Sequence, residues 1–307
     1  MNMNTTRGWL AAGLVAFGLV AVVPPADAKI RVVATTQDLA YFARVIGNGE
    51  ADASSILKGF QDPHFAAAKP SFMVEVSRAD VLLSLGLDLE IGWLPLIVTG
   101  ARNPSVMPGQ AGFVDCSQFV SPIEVPAAGA DRSKGDLHPK GNPHYWLDPE
   151  NAKKLARGIA DRMTQVDPGD AAAFAGGLAK LLAEIDQADA GAKALFAGSE
   201  IPPVVTYHVT FSYFFERYGI RPAGFIETKP GIPPTPGHVA SLVTQLKALG
   251  KAPAIIVEPY YDMEVPRQLG AQVGGRVELT PSSIGGTDEA RTYKDLIVTV
   301  ARKILGK

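Results

Sequence analysis

Short apolar runs alternate along this chain with longer stretches of helical spacing. Residues 30–36 (IRVVATT) read as a buried strand, and QDLAYFARVIG behind them has apolar positions on one helical face. ADASSILKG is a second strand, SFMVEVSRA a helix, ADVLLSLG a buried strand, LDLEIGWLPLIVTGA a helix and GFVDCSQFV a fourth strand. The pattern starts again near residue 204. VVTYH, RPAGFIE, PAIIVEPYY and VELTPS read as strands, with helices over TFSYFFERYG, HVASLVTQLKALG, VPRQLGAQVGG and TYKDLIVTVARKILG. Strand, helix, strand at this spacing is the unit of a parallel α/β sheet, so the expected fold class is α/β, with two halves of similar size.

Between the halves lies one long amphipathic stretch. From residue 171 to 196 the apolar positions Phe174, Leu178, Leu181, Leu182, Ile185, Leu195 and Phe196 predict a helix of roughly seven turns. Asp167-Pro168 opens it as a cap followed by proline, and Gly198 with Pro202-Pro203 closes it. The expected division is a leader over 1–28, a first lobe over 29–166, a linking helix over 167–198 and a second lobe over 199–307.

Composition supports a packed chain. Of 307 residues, 47% are apolar and 20% charged, and a formal charge of −2 gives no basic surplus for nucleic acid or an anionic membrane. Arg7, the apolar run WLAAGLVAFGLVAVV and Ala26-Asp27-Ala28 read as a secretory signal peptide cleaved after Ala28, which places the mature chain in the periplasm. Cys116 is the only cysteine, so stability must come from the core, and this thiol is expected to pack in a strand.

The candidate chemistry is carried by histidines. GNPHYWLDP sets His144 on a turn just ahead of a helix that Asp148 caps and Pro149 begins. His64 lies in the loop FQDPHFAAAKPS after a strand, and His208 at the end of VVTYH. Ligands of open α/β sheets bind outside the carboxyl ends of the strands. Three imidazoles delivered there form a nitrogen-rich site suited to zinc, its fourth position open or filled by oxygen.

DPHFAAAKPS, GNPHYWLDP, TYHVTFSYFFERYGI, IIVEPYY, ADVLLSLGLDLE and the long central helix resemble the motifs of metal-binding receptors of zinc and manganese ABC importers. The resemblance covers essentially the whole mature chain. It implies two α/β lobes with mostly parallel sheets, joined by one rigid helix, and a metal ion held in the cleft. By motif, His64 and His144 come from the first lobe and His208 from the second. Members favouring manganese tend to carry a carboxylate at the third position, so His208 points to Zn2+ rather than Mn2+. The expected partners are the ion and a membrane permease, with no nucleic acid and the chain a monomer.

The chain departs from that pattern in two places. The family's late aspartate turn reads LTPSSIGG here, with Thr280 in the aspartate's place. Glu258 is the expected fourth donor, with water or Asp262 as the alternatives. The long histidine-rich loop before the second histidine is reduced to Asp136 and His138, and His138 is expected to be solvated. His238 is expected to cap a helix or face solvent. Tyr145, Trp146, Tyr207, Phe211, Tyr213, Phe214 and Phe215 read as core that could also wall the site. A competing reading is an exported zinc hydrolase with Glu258 as general base, although neither HExxH nor GxSxG is present.

Overall fold

The structure is a computed structural model that describes residues 1, 29–127, 138–229 and 231–307. Residues 2–28 of the leader expected over 1–28, and Asp136, lie outside the described residues. The first half contains β1 (Ile30–Ala34), α1 (Gln37–Gly47), β2 (Ala51–Ser55), α2 (Pro70–Val76), β3 (Val81–Ser84), α3 (Leu94–Ala101) and β4 (Phe113–Asp115). Its four strands lie in the order β2-β1-β3-β4, every pair parallel. The short strand β3 is buried at all four positions, as expected of a strand covered on both faces.

Helix α4 (Pro149–Val166) follows, then α5 (Ala171–Phe196). The second half contains β5 (Val204–Thr206), α6 (Ser212–Tyr218), β6 (Pro222–Phe225), α7 (Pro236–Ala248), β7 (Ala254–Val257), α8 (Glu264–Val273), β8 (Arg276–Leu279) and α9 (Tyr293–Leu305). Its sheet repeats the order of the first, β6-β5-β7-β8, again parallel throughout. The two α/β lobes and the long helix are thus present, and among the described strands the sheets are wholly parallel.

Helix α5 has 26 residues and is about 39 Å long at 1.5 Å per residue. Its buried positions Phe174, Gly177, Leu181, Ile185, Ala188 and Ala192 recur at helical spacing. They pack against α1 and α4 of the first half and against α9 of the second. Leu178, Leu182, Leu195 and Phe196 flank this stripe as half-buried neighbours. A Cβ at Gly177 would stand 2.1 Å from the carbonyl oxygen of Ile46, so glycine is what lets α5 cross the end of α1. The proline start reads differently in detail. Asp167 makes no side-chain cap, and Pro168–Asp170 form a single 3-10 turn before α5 begins.

Cys116 does not lie in a strand. β4 stops at Asp115, whose side chain accepts from the Ser117 amide and turns the chain into a 3-10 segment beginning at Cys116. The thiol is fully buried, and burial pushes its pKa well up.

At the carboxyl ends of β1 and β3 the buried Glu90 accepts from the Thr35 hydroxyl and from the Leu85 and Gly86 amides. That stitch closes the switch point of the first sheet.

Candidate metal centre

His64 and His144 are held by the same short unit. In Asp62-Pro63-His64 the Asp62 Oδ1 accepts from the His64 backbone N–H at 2.9 Å and from its ring Nδ1 at 2.7 Å. In Asn142-Pro143-His144 the Asn142 Oδ1 accepts from the His144 N–H at 2.9 Å and from Nδ1 at 2.8 Å. An Asx residue bonding the backbone two positions on forms a local turn, and here the same oxygen also fixes the imidazole. Each ring thereby offers its Nε2. Burial, the largest single influence, opposes ionisation of Asp62, but the side-chain and backbone hydrogen bonds from His64, together with the electrostatic attraction of His64 and His208, outweigh it and hold the carboxyl below its ordinary range.

Both units are braced. Trp93 Nε1 donates to the Pro63 carbonyl, while Tyr213 donates from its hydroxyl to the Asn142 carbonyl at 2.8 Å. His144 precedes the 3-10 turn Tyr145–Leu147, and Asp148 caps α4 by accepting from the Glu150 amide, with Pro149 in the first turn. The reading of GNPHYWLDP holds.

His208 arrives two residues beyond β5, on the other lobe. Its Nδ1 donates to Glu227 Oε2 at 2.9 Å, and Glu227 lies just past the neighbouring strand β6. His144 and His208 are buried, and neither Nε2 has a hydrogen-bond partner among the described residues. Burial, followed by the nearby His208, His64 and His138, holds the His144 ring well below the usual imidazole pKa.

The three expected histidines meet. One donor atom from each of His64, His144 and His208 lies within 4.8 Å of the other two. Their ring centres stand 5.3 Å (His64–His144), 5.2 Å (His64–His208) and 5.3 Å (His144–His208) apart.

Glu258 follows the last residue of β7 and is fully buried, but it stands outside that group of donors. Burial pushes its carboxyl up to about 8, offset in part by the Thr210 hydroxyl. Asp262 is committed elsewhere, its Oδ1 accepting from the Glu264 amide at the start of α8. Thr280 is buried and donates its hydroxyl to the Glu278 carbonyl at 3.0 Å, turned back onto its own strand. His238 lies in the first turn of α7, where Thr235 is the cap, and its Nε2 pairs with the Phe225 carbonyl at 2.9 Å.

The expectation of a solvated His138 is overturned. It is 6% exposed, and its ring centre stands 5.3 Å from that of His64 and 6.4 Å from that of His144. The polarity of the loop misled, because the burial comes from a turn that folds back against the first lobe. Asp62, Asn142 and Glu227 also escaped the sequence reading. For the first two a signal was present, since Asx-Pro-His occurs twice. Glu227 had none, because its role depends on β5 pairing with β6.

The lobes also touch around the site. Asp38 of α1 accepts from the Ser283 hydroxyl and from the Ile284 amide at 2.8 Å, and Trp146 Nε1 donates to the Ser282 carbonyl at 2.9 Å. A Cβ at Gly59 would stand 2.1 Å from the Ile284 carbonyl oxygen, so the loop carrying His64 rests directly on backbone of the second lobe.

With this geometry in view, a family described as zinc-uptake complex component A, periplasmic, matches residues 32–306. Among curated proteins, the manganese ABC transporter substrate-binding lipoprotein PsaA of Streptococcus anginosus is 28% identical over 239 residues, covering 76% of this chain and 74% of the relative. The iron ABC transporter substrate-binding lipoprotein MtsA of Streptococcus pyogenes serotype M1 is also 28% identical, covering 76% and 73%. Among solved structures, a crystal structure of ZnuA superposes with a TM-score of 0.75 at 21% identity, over 91% of this chain and 98% of that one. A manganese-bound periplasmic metal-binding protein from Candidatus Liberibacter asiaticus gives 0.73 at 17% identity, over 91% and 99%. At those identities the structural likeness speaks for the fold.

Proposed function

The chain belongs to the family of periplasmic zinc-uptake complex component A, and from that premise we propose that it binds one zinc ion through His64, His144 and His208. The family consists of solute-binding proteins of ABC importers rather than enzymes, so this chain captures and delivers a transition metal, and the hydrolase reading has no support.

One observation carries the choice of ligands and metal. Two imidazoles bound to one zinc through bonds of about 2.0–2.1 Å, at the tetrahedral angle, put their ring centres about 5.2 Å apart. The three separations here are 5.2 and 5.3 Å. The rings thus hold the spacing of a tetrahedral site, and three nitrogen donors favour zinc over manganese, which prefers oxygen. Asp62, Asn142 and Glu227 orient the rings from behind, as partners of metal-bound histidines do. Glu258 is the oxygen candidate for the fourth position, reached only if it ionises and moves toward the ion.

In this reading the leader over 1–28 sends the chain to the periplasm, where it acts as a monomer. Release to the permease separates His208 from the other two rings, because His208 is the donor from the second lobe. With α5 packed on both halves, small displacements are expected rather than a wide hinge.

Trp146 reports on the site, its ring centre lying 5.4 Å from that of His144. Titration of the metal-free protein, followed by tryptophan fluorescence, should saturate at one equivalent of zinc. Excess manganese should fail to displace that zinc. Displacement by equimolar manganese would overturn the choice of metal.

A further inference from the structure

We propose that residues 282–286 of the second lobe form a clasp, held by Asp38 of the first, that keeps the lobes shut on the metal site independently of the ion. Asp38 is then a positioning residue that sets how slowly zinc leaves. The inference rests on the reading of His64, His144 and His208 as the metal site.

That site is divided between the lobes, so its geometry depends on what fixes one lobe against the other. His208 follows β5, while the segment Ser282-Ser283-Ile284-Gly285-Gly286 follows β8, with β7 lying between those strands. Helix α5 packs on both halves, and the segment adds a second attachment that stops the lobes rocking about it. It is gripped at three places. Asp38, in the first turn of α1, accepts from the Ser283 hydroxyl and, at 2.8 Å, from the Ile284 amide. Trp146 Nε1 donates to the Ser282 carbonyl at 2.9 Å. Gly59 lies flush on the segment, where a Cβ would stand 2.1 Å from the Ile284 carbonyl oxygen and 2.6 Å from the Gly286 nitrogen. Gln37 Oε1 holds Gly59 in turn by accepting from its amide at 2.9 Å.

These grips adjoin the ligands without using them. Gly59 lies five residues before His64, and Trp146 two after His144. Each hydrogen bond runs to groups other than the three imidazoles, so the clasp does not need the ion in order to form. Asp38 and Ile284 are 1% and 2% exposed. Without the carboxyl, the Ile284 amide would be buried with no acceptor, a cost relieved when the lobes part and admit water.

The segment is also shaped for the role. Gly285 sits at a φ of +75°, and a Cβ there would stand 2.5 Å from Gln37 Nε2. The Gly286 amide donates to the Ser283 carbonyl at 2.9 Å, and the Gly285 amide donates to the Ala290 carbonyl at 2.6 Å. The turn is thereby tied to the chain leading into α9, so a grip on it is a grip on the second lobe. Release requires the permease to undo this contact.

The test joins amide exchange of the full chain, with and without zinc, to the rate of zinc loss into excess chelator. Asp38→Ala removes the acceptor, Gly59→Ala wedges the contact sterically, and Asp38→Asn keeps an acceptor for the Ile284 amide. Thermal melts first establish which variants are folded. In the unaltered protein, residues 282–286 should be equally protected in the metal-free and zinc-loaded states. In either alanine variant that segment should exchange faster, and zinc should leave on the order of tenfold faster, while the visible spectrum of bound Co2+ stays the same. Asp38→Asn should restore both rates. Protection that appears only with zinc would overturn the proposal, as would an unaltered release rate in the alanine variants. Failure of the unaltered protein to bind zinc would sink the metal site instead, and exchange in the metal-free chain would still decide the clasp.

Discussion

Glu227 Oε2 accepts from the Nδ1 of His208 at 2.9 Å, and both side chains are buried on the lobe opposite His64 and His144. The carboxylate fixes the tautomer that leaves Nε2 for a ligand and raises the basicity of the ring. Glu227→Gln keeps the shape and loses the charge. Zinc affinity should fall ten- to hundredfold, as measured by chelator competition, while the far-UV spectrum stays the same. An affinity equal to that of the unaltered protein would show that the pair is merely structural.

The two Asx-Pro-His units make a matched prediction. Asn142→Ala removes the oxygen that holds both the backbone and the ring of His144, and Asp62→Ala does the same to His64. Asn142→Asp and Asp62→Asn retain that oxygen. The alanine variants should bind zinc at least about tenfold more weakly and the conservative pair should stay close to normal, by calorimetry. Equal losses in both sets would mean that charge, not orientation, is what these residues supply.

Asp38 joins the lobes and titrates in a useful range. Burial raises its carboxyl from 3.8 to about 6, with the Ser283 and Ile284 hydrogen bonds opposing. The folded protein therefore holds a proton that the unfolded chain has lost. The stability this contributes is full below about pH 4 and fades as pH rises through 6, by about 3 kcal/mol at most. Relative to Asp38→Asn, the unaltered protein should become less stable between pH 4 and 7, in urea unfolding at a series of pH values. A constant offset between the two would refute the assignment.

Glu258 behaves similarly at higher pH. Its carboxyl, raised by burial from 4.5 to about 8, favours folding most below pH 4.5 and loses that contribution as pH rises through 8. Metal-free Glu258→Gln should gain on the unaltered protein steadily from pH 5 to pH 9, followed by melting temperature. A gain that does not grow with pH would show Glu258 to be ionised throughout.

The order of strands and helices could be read from the sequence because short buried parallel strands are nearly continuous apolar runs, as in β3 and β7. The triad could be read because each histidine follows a strand or precedes a capped helix. His138 was misjudged because its surroundings in sequence are polar, while its burial depends on Gly141 packing against Pro122 and Ile123. Glu227 was invisible for a different reason. It lies 19 residues from His208 and is brought there only by strand pairing. Cys116 was placed in a strand because nothing in the apolar pattern marks Asp115 as the residue that turns the chain.

Whether the three imidazoles hold the ion is decided by calorimetric titration of the metal-free protein with zinc, beside the His64→Ala/His144→Ala/His208→Ala variant. One zinc per chain is expected for the unaltered protein, with tight uptake absent from the triple variant. No uptake, or uptake that the triple variant retains, would contradict it.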